Sequence, residues 1–226
     1  MNKRCGGDEA QRKVQPAQPL SLPRPCLMLV TEPGECTRFV TTVQAAVAGG
    51  VNAVQLRDKT GTIQQLLETA AVLKASLPDI LMLVNGWQGV DCFESFDGVH
   101  LPEHSGSLVQ TRLAVGTHRL IGRSVHSLTS AVEAENQGAD YLVAGTIFGS
   151  VSHPDVSPAG LEFLRRICTE VSLPVIAIGG ITLENVAGCV QAGAAGVAVL
   201  SPLMRADDTY NLARQYRSAL EQVWVK

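Results

Sequence analysis

The sequence predicts a single (β/α)8 TIM barrel, and three observations carry that expectation. Apolar runs of four to six residues alternate with longer segments of helical period, the pattern of repeated βα units around a parallel sheet. Eight such units fit in 226 residues, a length at which a barrel of this kind remains one domain. Hydrophobic residues make up 46% of the chain but aromatics only 4%, so the interior must be filled by Val, Ile, Leu and Ala, as in layered parallel barrels. A doubly wound open sheet is the rival architecture. It calls for Gly-x-Gly-x-x-Gly after the first strand, and Thr31-Glu32-Pro33-Gly34 does not supply it.

In order along the chain, residues 1–25 are polar and proline-dotted and predict a disordered arm, leaving 26–226 for the barrel. The first unit is a strand at 26–31 and a helix at 36–48, which Gly49-Gly50 closes with a left-handed C-cap before the strand at 53–57. A helix at 62–76 and a strand at 80–84 follow, then a short helix at 87–94 and a strand at 98–101. Another short helix at 107–113 precedes the strand at 120–125. Ser127-Leu128-Thr129-Ser130 marks the start of a helix at 128–137, and Gly138 closes it ahead of the strand at 141–145. After the long segment 146–158, which reads either as a lid or as a surface excursion, come a helix at 159–170 and a strand at 175–178. Thr182 opens a helix at 183–192, Gly193 ends it, and a strand at 196–200 and a helix at 208–222 complete the set.

Composition excludes several function classes. A net charge of −3 without a basic run argues against a nucleic-acid or anionic-membrane surface. The six cysteines show no Cys-x-x-Cys and no Cys/His spacing of the zinc type, so they read as reduced thiols of a cytoplasmic protein. No apolar stretch reaches the roughly 18 residues of a membrane helix, and the N-terminus lacks a signal-peptide core. A homo-oligomer acting on a small molecule is the expected form.

Active sites in this fold gather at the C-terminal ends of the strands, where the polar residues form a coherent set. The last two strands stop at Gly179-Gly180 and at Leu200-Ser201, and the loops after strands seven and eight commonly hold phosphate through backbone N–H groups. Strand two ends in Gln55-Leu56-Arg57-Asp58-Lys59, where two-residue alternation puts Gln55 and Arg57 on the inward face. Arg57 and Lys59 suit a phosphate or carboxylate, the alternative being a solvated rim of local ion pairs. Strand three ends in Asn85-Gly86, and strand five in Ser124-Val125-His126 with Ser124 and His126 on one face. His126 is placed for acid/base work near neutrality, whereas His118 reads as a loop residue and His100 as a strand-end hydrogen-bonding group.

From residue 26 onward the chain resembles the thiamine phosphate synthase/TenI family. The motifs that carry the likeness are Gln55-Leu56-Arg57-Asp58-Lys59, Asp97-Gly98-Val99-His100-Leu101, Gly122-Arg123-Ser124-Val125-His126, Gly145-Thr146-Ile147-Phe148 and the run from Pro174 through Gly179-Gly180 to Ile181. The resemblance implies a barrel enzyme of thiamine biosynthesis that takes a phosphorylated thiazole. The family's synthase branch couples a hydroxymethylpyrimidine pyrophosphate to that thiazole with Mg²⁺ held by carboxylates. This chain has Gly86 in place of one family aspartate, Glu103-His104-Ser105 where a Gly-Gln-x-Asp run ends, and His153 in place of a lysine, with Glu103 the carboxylate on offer as a stand-in for a lost metal ligand.

Those departures, with Val84-Asn85-Gly86 and Ile121-Gly122-Arg123-Ser124-Val125-His126-Ser127, resemble the TenI branch of thiazole tautomerases, which needs no cofactor. Under that resemblance His126 is the general acid/base. Gly179, Gly180, Leu200 and Ser201 bind the phosphate, while Gln55, Arg57, Lys59, Asn85 and Ser124 line the ring and carboxylate end. The Mg²⁺-dependent transferase ranks second, and a non-catalytic thiazole-phosphate-binding regulator third.

Overall fold

The computed structural model describes residues 20–32, 36–58, 62–86, 95–149 and 157–224. Eight parallel strands, β1 (Cys26–Val30), β2 (Ala53–Leu56), β3 (Leu81–Asn85), β4 (Gly98–Leu101), β5 (Leu120–Val125), β6 (Tyr141–Ala144), β7 (Val175–Ile178) and β8 (Gly196–Val199), close in sequence order into a barrel. The helices among the described residues are α1 (Cys36–Ala48), α2 (Ile63–Ser76), α3 (Leu108–Val115), α4 (Leu128–Asn136), α5 (Gly160–Glu170), α6 (Val186–Gln191), α7 (Ser201–Met204) and α8 (Thr209–Val223). The helix expected at 87–94 lies outside the described residues, as do residues 1–19 of the expected arm. None of the described helices is long and apolar enough to cross a membrane.

Strand alternation divides the core in two. Leu27 and Leu29 face outward to the helices, whereas Cys26, Met28 and Val30 face the barrel interior with Leu83, Tyr141, Val143, Ile176 and Ala198. Room for the large inward side chains comes from glycines on neighbouring strands. Gly122 is paired with Tyr141 across β5 and β6, and its missing Cβ is the space that the tyrosine ring fills. At the lower end the barrel is stoppered by Leu22 and Trp224, which pack against the interior cluster. Residues 20–25, assigned to the arm from their prolines, join the folded body: Leu22 is buried, and the Pro25 carbonyl accepts from the Asn52 amide and the Arg217 guanidinium, both at 3.0 Å.

A recurrent polar staple holds the lower rim. Asn52, Asp97 and Asp140 each directly precede an even-numbered strand, and each accepts the second backbone N–H of the strand before it, from Leu27, Met82 and Ile121. Asp97 also takes the Lys74 ammonium, and Asp140 the Arg112 guanidinium. Asp140→Ala leaves the Ile121 N–H without this acceptor and is expected to cost about 1–3 kcal/mol. Urea denaturation of the variant against the parent measures it.

Of the departures from the expected element ranges, three have identifiable reasons. β3 runs one residue further, because Asn85 pairs with His100. α6 starts at Val186, since the Asn185 side chain accepts the Thr182 N–H and makes a turn of residues 182–185. The chain enters α7 directly after β8, with Leu200 as N-cap and Pro202 in the first turn, a helix of four residues that is too short for periodicity to reveal.

Candidate active site

At the C-terminal mouth the inward positions of β2 to β5 carry Gln55, Asn85, His100 and Ser124. The Gln55 amide donates to Asn85 Oδ1 at 2.9 Å. His100 lies between two hydroxyls, with Nε2 at 2.8 Å from Ser124 Oγ and Nδ1 at 3.2 Å from Tyr141 Oη. Its ring is buried in the barrel. Burial, with the Arg123 charge adding to it, pushes the imidazole pKa down to about 3, so the ring is neutral and one nitrogen donates while the other accepts. His100 is therefore a buried structural hub joining three strands, more than the strand-end contact expected of it.

Arg57 sits just past β2, where its N–H donates to the Thr31 hydroxyl at 2.9 Å and its carbonyl accepts from that hydroxyl. Its side chain is half-buried, and desolvation lowers the guanidinium pKa against the opposing charge of Glu32. Glu32 in turn binds Arg205 through both carboxylate oxygens, at 2.7 and 3.0 Å. Lys59 and the loop residues 150–156, His153 among them, lie outside the described residues. His118 contacts Arg119 beside β5's lower end and takes no part in the mouth.

Gly179 and Gly180 adopt φ of 97° and 62°, conformations open chiefly to glycine. The turn interlocks with the segment after β6. Ile147 donates to the Ile178 carbonyl and Phe148 to the Gly179 carbonyl, both at 2.9 Å. A Cβ on Gly180 would lie 2.3 Å from the Gly149 carbonyl oxygen. Since Ile178 pairs with Ala198, the Gly179-Gly180 turn and the Leu200-Ser201 helix start stand at adjacent strand ends.

His126 follows β5 and precedes Ser127, the N-cap of α4. Its ring is 55% exposed and turned sideways to Glu103, with Nδ1 at 2.7 Å from Oε2. Its backbone N–H donates to the other oxygen, Oε1, at 2.9 Å. Burial alone would raise the Glu103 pKa, but hydrogen bonds from Ser130 and from the backbone and ring of His126 hold it below the ordinary carboxylate range. The loop that bears Glu103 is fixed from beneath by Arg123, whose guanidinium donates to the carbonyls of Pro102, Glu103, Ser105 and Gly106. Thus β5 carries His126 and also anchors its carboxylate partner. The sequence gives Glu103 only as a stand-in metal ligand and gives Arg123 no role.

A family model described as thiamine monophosphate synthase matches residues 27–203, most of the barrel. The chain belongs to that family. It is 39% identical to the thiamine-phosphate synthase of Natronomonas pharaonis, over 80% of this chain and 87% of the relative. It is 34% identical to the thiamine-phosphate synthase of Synechococcus sp. strain WH7803 over 93% of this chain, which spans 59% of that longer relative. Among solved structures it superposes on thiamine phosphate pyrophosphorylase from Pyrococcus furiosus with a TM-score of 0.75 and 31% identity, covering 88% of this chain and 98% of the other. Both sequence relatives carry the synthase name. They reverse the order in which the motif departures place the two activities, and they lend the tautomerase branch no support.

The synthase branch of the thiamine monophosphate synthase family implies Mg²⁺ on carboxylates, and this chain's described residues do not fit one. Gly86 has no side chain to offer, and Glu103 directs both oxygens at His126. Among the described residues no three His, Cys, Asp or Glu side chains stand close enough to share an ion.

Proposed function

We propose that this chain catalyses the coupling step of thiamine biosynthesis, joining a hydroxymethylpyrimidine pyrophosphate to a thiazole phosphate with release of diphosphate. The observation that carries this reading is kinship across most of the barrel with proteins named thiamine-phosphate synthase, at 39% identity over 80% of the chain. In it, the Gly179-Gly180 turn with Leu200 and Ser201 receives the thiazole phosphate through backbone N–H groups. Arg57 supplies a cation for the diphosphate, and Gln55, Asn85 and Ser124 line the space between the two anions. The test is formation of thiamine phosphate by the purified chain from both precursors with Mg²⁺. No product at high enzyme concentration rejects coupling.

One observation favours a second reading, thiazole tautomerisation. The Glu103–His126 pair is a proton-transfer arrangement with a ring nitrogen left over for substrate. Under this reading His126→Gln is expected to slow aromatisation of the carboxythiazole phosphate by about 10²- to 10⁴-fold and to leave its binding intact. Steady-state rates and calorimetric titration of the variant check both halves. Tight binding of thiazole phosphate with neither reaction would instead mark the chain as a regulator.

A further inference from the structure

We propose that Glu103 is a positioning residue, which fixes the tautomer and direction of the His126 imidazole and does not serve as a metal ligand. The functional half of this rests on the second reading above; the geometric half stands without it.

Each oxygen of the carboxylate has its own donor on residue 126. Oε1 accepts the backbone N–H at 2.9 Å and Oε2 faces Nδ1 at 2.7 Å. An ionised carboxylate only accepts, so the ring nitrogen facing it must carry the proton. The lone pair then resides on Nε2, the nitrogen turned away from Glu103. The side chain of Glu103 is 12% exposed while that of His126 is 55% exposed, so the holder is enclosed and the held group is open to a ligand. Arg123 removes the loop's freedom through its four carbonyl bonds, and Ser130 adds a hydrogen bond to the carboxylate. A further ring nitrogen, His104 Nε2, lies 3.4 Å from Oε2, but its side chain is 92% exposed and bears on Glu103 only from the solvent side.

In the proton transfer, Nε2 takes a proton from a substrate ring carbon. The electron pair of that C–H bond moves through the ring to the exocyclic carbon, which receives a proton back from Nε2–H. Atoms and electrons balance without a co-reactant. A ring in the opposite tautomer presents an N–H in place of the lone pair and cannot begin the cycle.

Glu103→Gln discriminates sharply, because an amide offers one acceptor and one donor. With its oxygen on the backbone N–H, its NH₂ faces Nδ1 and demands a lone pair there, which forces the proton to Nε2. ¹⁵N NMR of histidine-labelled full-length chain at about pH 8.5, where a free imidazole is neutral, reads the tautomer directly. The parent is expected to show Nδ1–H at His126, Glu103→Gln to show Nε2–H, and His104→Ala to match the parent. Aromatisation is expected to fall about 10²-fold or more in Glu103→Gln and to recover partly in Glu103→Asp. Nε2–H in the parent, or an unchanged tautomer in Glu103→Gln, overturns the proposal. A tautomer flip in a chain that never aromatises the thiazole supports the positioning role and removes only the tautomerase reading.

Discussion

Gly122→Ala is expected to destabilise the barrel by about 3 kcal/mol or more, at the upper end of what overpacking a core costs. The added methyl would stand 2.1 Å from Tyr141 Cζ and 2.4 Å from its hydroxyl oxygen, far inside contact distance. The ring is fully buried and cannot swing aside without leaving the interior. Displacing it also breaks the Tyr141 hydroxyl contact with His100, so the damage reaches the mouth. Guanidinium denaturation of Gly122→Ala, Tyr141→Leu and the double variant measures the effect. Because both changes act on one volume, the double variant is expected to be more stable than the sum of the singles by over about 1 kcal/mol. Strict additivity would show that the ring does not occupy the glycine's space.

The second large effect is a loss of stability in acid through His100. Its folded-state pKa of about 3 lies below the ordinary value of 6.5, so the unfolded chain binds the proton more readily. The contribution is complete above pH 6.5 and drains away as pH falls toward 3, at a limiting slope of about 1.4 kcal/mol per pH unit. Carboxylates titrate in the same range, so the difference between the parent and His100→Asn isolates the imidazole. Stability of the parent is expected to fall more steeply between pH 6 and 4, by roughly that slope, and coincident slopes would mean that the histidine is not held neutral in the core.

Much of this architecture is legible in the residues themselves. Apolar runs mark all eight strands, because a strand covered on both faces needs apolar side chains throughout, and Gln55 is placed inward correctly by alternation alone. Ser127 declares itself as the cap of α4 for the same local reason. What stays hidden depends on contacts between distant segments. Gly122 and Tyr141 lie 19 positions apart and meet only across a strand pair. Arg123 reads as a surface charge until the β4–α3 loop folds over it and presents four carbonyls. Glu103 is misread for a related reason: its identity suggests a cation, whereas its position relative to His126 supplies two N–H donors. Ranking the two activities from two missing carboxylates and one missing lysine weighs three positions, while the relatives reflect most of the barrel.

The lower-rim staples distribute mechanical compliance unevenly around the cylinder. Three strand pairs are sewn by Asn52, Asp97 and Asp140, but the residue at the corresponding place before β8 is Ala195, which has no side-chain acceptor and joins its neighbours through its backbone, its N–H donating to Val175 and its carbonyl accepting from Cys26. Among the described residues, the fourth pair is thus the one closed at its foot by backbone bonds alone, and its opposite end bears the Gly179-Gly180 turn. Three of the four seams carry a side-chain stitch at the base, and the unstitched one runs up to the paired glycines.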